Sequence, residues 1–232
     1  MPRRPRLIIP EVPVHVIQRG NNRQACFYAN EDYLFYLDHL AEQADKANCS
    51  IHAFCLMTNH VHILLTPHRS DSVSLMMKGL GQRYVQYINR TYRRSGTLWE
   101  GRFRSCLTQE EAYVLACYRY IELNPVRACM VDHPAEYRWS SYRFNAQREA
   151  NPFLMKHATY LGLGPNSESR AKAYRELFRS GMEPALVDEI RQATNGNYAL
   201  GSDRFKGEIE QAVGRRVTKS KVGRKRSIIT SI

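Results

Sequence analysis

The sequence contains no apolar run approaching the length that crosses a bilayer, so no helical membrane span is expected. No signal-peptide pattern opens it. Internal repeats are missing, as is any CxxC spacing among Cys26, Cys49, Cys55, Cys106, Cys117 and Cys129. These cysteines sit in apolar segments and read as the reduced core residues expected of a cytoplasmic protein, not as a zinc site or disulfide framework. Acidic residues are scarce: 22 Asp and Glu stand against 34 Lys and Arg over 232 residues, a formal charge of +12. A field of that sign suits a polyanion, of which nucleic acid is the commonest. An anionic membrane surface is the competing partner, but no strongly amphipathic basic helix supports it, and no membrane association is expected.

What is present is organised around Met57-Thr58-Asn59-His60-Val61-His62-Ile63-Leu64-Leu65. At strand period His60, His62 and Leu64 share one face, and Val61, Ile63 and Leu65 the other. Two imidazoles two residues apart on a strand lie roughly 7 Å apart at Cα and point the same way. That spacing lets both rings reach one divalent cation from a rigid element. An isolated His-x-His is more often the wetter face of a half-buried strand, so the rest of the chain has to decide.

Along the chain, Met1 to Pro10 carries Arg3, Arg4 and Arg6 among prolines and reads as an extended arm. Val12 to Arg19 alternates as a strand, ended by Gly20-Asn21-Asn22. Asn30 reads as an N-cap for a helix to about Ala47, with Tyr33, Leu37, Leu40, Ala41 and Ala44 on one stripe. Ser50 to Met57 and His60 to Thr66 are two strands joined by Thr58-Asn59, a hairpin. Asp71 or Ser72 caps a long helix to about Arg94, buried along Val73, Met76, Met77, Leu80, Tyr84, Tyr87 and Ile88. Gly96 stops it, and Leu98 to Leu107 is a fourth strand with Arg102 and Arg104 on a common face. The order β-α-β-β-α-β predicts an α+β, ferredoxin-like fold, an antiparallel sheet with flanking helices. That arrangement hosts many functions, so the site must carry the assignment.

Thr108-Gln109-Glu110-Glu111 has capping-box spacing and opens a helix to about Leu123, ended or kinked by Pro125 just after Asn124. On it Tyr113, Cys117, Tyr120 and Asn124 share one face, while Tyr118 lies almost opposite Tyr120. A tyrosine on an amphipathic helix is usually core. Here one face also offers a phenol and, one turn on, an amide oxygen, downstream of a His-x-His strand in a basic protein.

Thr58-Asn59-His60-Val61-His62, Leu98-Trp99-Glu100-Gly101-Arg102-Phe103 and Tyr120-Ile121-Glu122-Leu123-Asn124-Pro125-Val126-Arg127 together resemble the single-tyrosine transposases of the His-hydrophobic-His superfamily. Among these the chain most resembles the REP-associated tyrosine transposases. His15-Val16-Ile17-Gln18-Arg19-Gly20-Asn21-Asn22-Arg23 and Trp139-Ser140-Ser141-Tyr142 are similar too, so the resemblance covers roughly Val12 to Tyr142. It implies His60, His62 and Asn124 as metal ligands, Tyr120 as the nucleophile, and single-stranded DNA beside a hairpin as the substrate. Mixed nitrogen and oxygen ligation then points to Mg²⁺ or Mn²⁺ more than to zinc. Arg102 and Arg104, and next Arg19 and Arg23, are the candidates for contact with the DNA backbone, which positions DNA without specifying its sequence. Monomer and homodimer both stay open, and a DNA partner implies association with the nucleoid.

Residues 1–145 are thus expected to form the catalytic domain, and 146–214 a helical module with helices at about Glu168 to Arg179, Glu183 to Ala193 and Asp203 to Val213. That module reads equally as a further DNA-binding unit or as packing support. Residues 215–232 read as a disordered basic tail adding non-specific phosphate affinity. Two rival functions remain on the sequence alone. One is a catalytically inactive nucleic-acid-binding protein; the other is a metal-dependent hydrolase in which Tyr120 is structural.

Overall fold

The computed structural model describes residues 6–219, apart from the side chains of 110–112. Arg3 and Arg4 of the expected arm, and the tail from 220 onward, lie outside the described residues. The first elements follow the expected order: β1 (Val14–Arg19), α1 (Asn30–Lys46), β2 (Cys49–Met57), β3 (His60–Pro67), α2 (Ser72–Thr91) and β4 (Arg104–Thr108). Helix α1 is capped from inside. Asp32, not Asn30, accepts from the Tyr28 and Ala29 amides at 2.7 and 3.0 Å, satisfying donors the helix cannot. Its buried side is Asp32, Tyr33, Tyr36, Leu40 and Ala44, and that of α2 includes Val73, Met76, Met77, Leu80, Tyr84 and Ile88.

β2 and β3 form the expected hairpin, with Met57 opposite His60 across Thr58-Asn59. β3 pairs with β1, and β1 with β4, all antiparallel. Gly20, just after β1, donates its amide to Asn59 O at 2.8 Å and so holds the hairpin turn. A Cβ there would sit 2.2 Å from Gln24 O, so the close approach requires glycine. The fourth strand begins later than expected. Trp99 makes a single bridge to Gly20, Gly101 turns the chain at φ 145°, and regular pairing resumes only at Arg104. Arg102 therefore lies in a loop, not on a strand face shared with Arg104.

A second set of elements follows: α3 (Glu110–Glu122), α4 (Asn124–Arg127), α5 (Tyr142–Gln147), α6 (Ala158–Leu161), α7 (Ser167–Glu176), α8 (Pro184–Gly196), β5 (Ala199–Leu200) and α9 (Asp203–Val213). The expected capping box does not form: Gln109 is the N-cap, without a side-chain cap bond, because Thr108 still belongs to β4. Strand β5 pairs parallel to β4, so the sheet is mixed, in the order β2-β3-β1-β4-β5. The segment after 146 thus adds a strand to the sheet as well as helices. Val217 is fully buried and its carbonyl accepts from Ala199 N at 3.0 Å, so the start of the expected tail is part of the packed structure. Cys129 is exposed and Cys49 half-buried; the other four cysteines are buried as expected. No described helix is long and apolar enough to cross a membrane.

The Trp139-Ser140-Ser141-Tyr142 stretch closes the outer edge of β2. Leu56 N donates to Trp139 O and Ser141 N to Phe54 O, which removes the unpaired backbone that an edge strand exposes. From there Ser141 Oγ donates to Glu122 at 2.6 Å, and Asn145 Nδ2 and Tyr174 OH donate to the same carboxyl at 2.8 and 2.6 Å. Glu122 is fully buried and ties α3 to α5 and α7. Removing it strips Tyr174 of its acceptor and leaves Ser141 and Asn145 only longer contacts to Phe54 O and His52 O, so Glu122→Ala is expected to cost on the order of 3 kcal/mol. Burial raises the carboxyl from 4.5 to about 7 despite these donors. Folding therefore favours its protonated form, a contribution complete below about pH 4.5 and lost as pH rises through 7. Urea unfolding from pH 5 to 8 should show wild type losing stability relative to Glu122→Gln; parallel curves would contradict this account.

Candidate active site

The register of β1 against β3 sets the site. Ile17 lies opposite His62 and Arg19 opposite His60, while His15 faces Leu64 and, on its other side, Cys106 of β4. Directly paired residues project to the same side, so His15, Arg19, His60, His62, Arg104 and Cys106 share one face. Helices α3 and α8 pack on that face, and α1 and α2 pair on the opposite side of the sheet.

Both His60 and His62 are held in place through Nδ1. His60 Nδ1 lies 2.6 Å from Asn59 Oδ1, and Asn59 Nδ2 donates to Arg23 O at 3.0 Å. Because the amide nitrogen is committed to Arg23, its oxygen faces His60 and takes the Nδ1 proton, leaving His60 Nε2 with a lone pair. His62 Nδ1 lies 2.9 Å from His15 Nε2, with the two rings stacked at 5.1 Å. Burial, then the nearby Arg19 and Arg127 cations, lowers His60 to about 4. Burial and then neighbouring His60 and His15 hold His62 well below the usual histidine range. Burial lowers His15 to about 3, with Arg127 adding to it. All three are neutral at pH 7, the state in which imidazole ligates metal.

Tyr120 meets these rings edge-on, with centroids 5.6 Å from His62 and 5.7 Å from His15; His60 and His62 are 5.0 Å apart. Other tyrosines on α3 and at the end of α2 are engaged elsewhere. Tyr118 is fully buried against Tyr160 and Tyr174, and its hydroxyl accepts from His157 N. Tyr92 donates to Asp32. Tyr113 lies beside the charges of Glu189 and Asp203. The helix breaks at Leu123, one residue before Asn124, and Pro125 takes the second position of the short α4, where its missing N–H costs nothing. Asn124 is half-buried, one turn beyond Tyr120, and its Nδ2 is buried without a partner.

Among the described residues no group of three or more His, Cys, Asp or Glu is arranged to hold a metal. A metal held by His60 and His62 would therefore draw its further ligands from other residue types, such as the Asn124 amide, or from water and substrate.

The four arginines divide. Arg19, Arg102 and Arg104 line one cleft with Ile17, Glu100, Gly101 and Asn195. Arg104 donates to Asn195 Oδ1 at 3.2 Å, which ties β4 to the end of α8. Arg23 is exposed on the turn beside Asn59 and does not line that cleft. The sequence reading also missed two residues at the centre. Arg127 stands with its Cζ 4.4 Å from the Tyr120 ring centroid and donates to Tyr120 O at 2.6 Å, while its Nε and Nη1 are buried without partners. Its seven-residue spacing from Tyr120 was the available signal, hidden by the proline between them. His15 is the other; its place in the register was not deducible before strand order was known.

Residues 9–124, half of the 232-residue chain, match the family described as Transposase IS200 like. A solved structure of a REP-associated tyrosine transposase bound to a REP hairpin is similar in fold, with TM-score 0.56 and 16% identity over 68% of this chain and 93% of that one. A transposase candidate from Deinococcus radiodurans R1 is 19% identical over 55% of this chain and 92% of that one, with TM-score 0.37. No curated protein matches the chain. The matched half carries the paired histidines, the tyrosine beside them and the amide one turn on, and by that match the chain belongs to the IS200-like transposase family.

Proposed function

We propose that the chain cleaves and rejoins single-stranded DNA beside hairpins, with Tyr120 as nucleophile. The observation that carries this reading is the packing of the Tyr120 ring against His62 and His15 within one chain, which supports a nucleophile and a metal site supplied side by side. In the proposed step the Tyr120 oxygen attacks the scissile phosphorus and loses its proton. The bond to the 3′ oxygen breaks, that oxygen leaves as a 3′-hydroxyl, and the 5′ side is held as a phosphotyrosine. Attack of a 3′-hydroxyl on this ester reverses the step and joins strands without a nucleotide cofactor.

His60 Nε2, His62 Nε2 and the Asn124 amide are the proposed ligands. A bound Mg²⁺ or Mn²⁺ supplies Lewis-acid polarisation of the scissile phosphate. Arg127 has two unpartnered buried donors beside the tyrosine and is assigned to a phosphate oxygen. Arg19, Arg102 and Arg104 are assigned to the DNA backbone leading into the cleft, and Arg23 to its approach. The REP-hairpin-bound neighbour supports a hairpin substrate by likeness of fold.

The first test is a denaturing gel with single-stranded hairpin DNA and Mg²⁺ or Mn²⁺. A covalent adduct is expected for wild type and for Tyr118→Phe and Tyr113→Phe, and none for Tyr120→Phe, with the attached peptide identified by mass spectrometry. Cleavage without an adduct would indicate a hydrolase; binding without cleavage, an inactive binder. His60→Ala and His62→Ala should lose cleavage while retaining most hairpin binding, because phosphate contacts do not depend on the cation. Undiminished activity in EDTA would overturn the metal assignment.

The tail gives a second test. Because Val217 belongs to the core, the informative deletion is 220–232, not one beginning at 217. Removing Lys221, Arg224, Lys225 and Arg226 should weaken DNA binding evenly across sequences and flatten its salt dependence, by a slope of roughly 0.7 per lost phosphate contact for single strands. Selective loss for one hairpin would show instead that the tail reads sequence.

A further inference from the structure

We propose that Thr194 and His15 are positioning residues that fix the proton of His62 on Nδ1 and so present its Nε2 lone pair to the cation, making helix α8 a working part of the catalytic centre. This rests on the reading of His62 as a metal ligand. The contacts form one directional chain. Thr194 Oγ1 lies 2.8 Å from Ile190 O, one turn back in α8. A carbonyl only accepts, so the single hydroxyl proton points there. Cys106 Sγ lies 3.2 Å from the same oxygen and donates its thiol proton to it. The hydroxyl is then an acceptor toward His15 Nδ1 at 3.1 Å, and His15 carries its proton on that nitrogen. The opposite nitrogen, His15 Nε2, offers a lone pair to His62 Nδ1 at 2.9 Å. His62 must donate across that contact, which leaves its Nε2 unprotonated.

The opposite arrangement is internally consistent but disabling. Were Thr194 to donate to His15, the proton of His15 would sit on Nε2, His62 Nδ1 would accept, and His62 Nε2 would carry a hydrogen where the cation belongs. The Ile190 carbonyl selects against that arrangement. Two neighbouring bonds hold α8 where the relay needs it: Ser105 N donates to Asn197 Oδ1 at 3.0 Å, and Arg104 donates to Asn195 Oδ1 at 3.2 Å. His60 is oriented separately, by Asn59 on the hairpin turn. His60 thus takes its orientation from its own hairpin turn, and His62 from β1 and α8. Partners that orient a ligating histidine typically change metal affinity by 10- to 100-fold.

The test uses the full-length chain. Long-range ¹H–¹⁵N correlation of the imidazoles in metal-free protein at pH 7 should show His62 protonated on Nδ1, with assignments from His62→Ala and His15→Phe. Mn²⁺ affinity, read by electron paramagnetic resonance of the free ion, should fall at least about tenfold in Thr194→Val and His15→Phe. Thr194→Ser, which keeps the hydroxyl, should bind as wild type. An Nε2-protonated His62 in wild type, or unchanged Mn²⁺ affinity in both Thr194→Val and His15→Phe, overturns the proposal. If His62→Ala abolishes Mn²⁺ binding while those two variants do not weaken it, only the positioning role fails. If His62→Ala binds normally, the metal assignment itself fails and takes this inference with it. Should Thr194→Val not fold, the wild-type tautomer decides alone.

Discussion

An imidazole buried on an interior strand must satisfy two nitrogens without water, and this constraint organises the centre of the molecule. β3 lies between β2 and β1 in a sheet covered on both faces, so His60 and His62 have little solvent to bond. An unpaired buried polar group costs free energy comparable to a lost hydrogen bond. Each ring resolves half of this through Nδ1, by way of Asn59 or His15. The remaining nitrogens are what make the site chemically useful. The same burial that penalises charge keeps the rings neutral, the state that the proposed ligand role needs.

The tyrosine is positioned by similar means. Glu122, two residues after Tyr120, is held by Ser141, Asn145 and Tyr174, so α3 is anchored on the side away from the histidines. Arg127 grips the Tyr120 carbonyl from the next helix. In the proposed role, a side chain fixed by packing and by hydrogen bonds on two sides loses little entropy on meeting its substrate, which is the physical content of preorganisation. The Trp139-Ser140-Ser141-Tyr142 stretch contributes at a distance, by covering the β2 edge and supplying Ser141 to the Glu122 cluster.

Much of the fold was legible because it depends on local period. The strand alternation of His60 to Leu65, the stripe from Val73 to Ile88 and the two-residue turn Thr58-Asn59 all appear where the sequence puts them. The start of β4 was misread because the alternation of Leu98 to Leu107 continues through Gly101, whose positive φ ends regular pairing and is invisible in a hydropathy pattern. Strand β5 has two residues, too short for any periodic signal, and its parallel pairing is a tertiary fact. At the site, the likeness of motifs supplied His60, His62, Tyr120 and Asn124, and helical spacing kept Tyr118 off their face. Strand register alone brings His15 alongside His62, and Thr194 arrives from an element that the sequence offered as support or a separate binder.

The hydrogen bond between His15 and Thr194 joins positions 179 residues apart. Contacts of that span form only after the intervening chain has been made and its loop closed. A ribosome that has released the histidine strand and the tyrosine helix has still not released Thr194, the residue proposed to orient His62 through His15. The nascent chain therefore carries the paired histidines and Tyr120 through most of its synthesis without this contact. A chain truncated before α8 would share that incompleteness, so the order of synthesis itself delays completion of the proposed site.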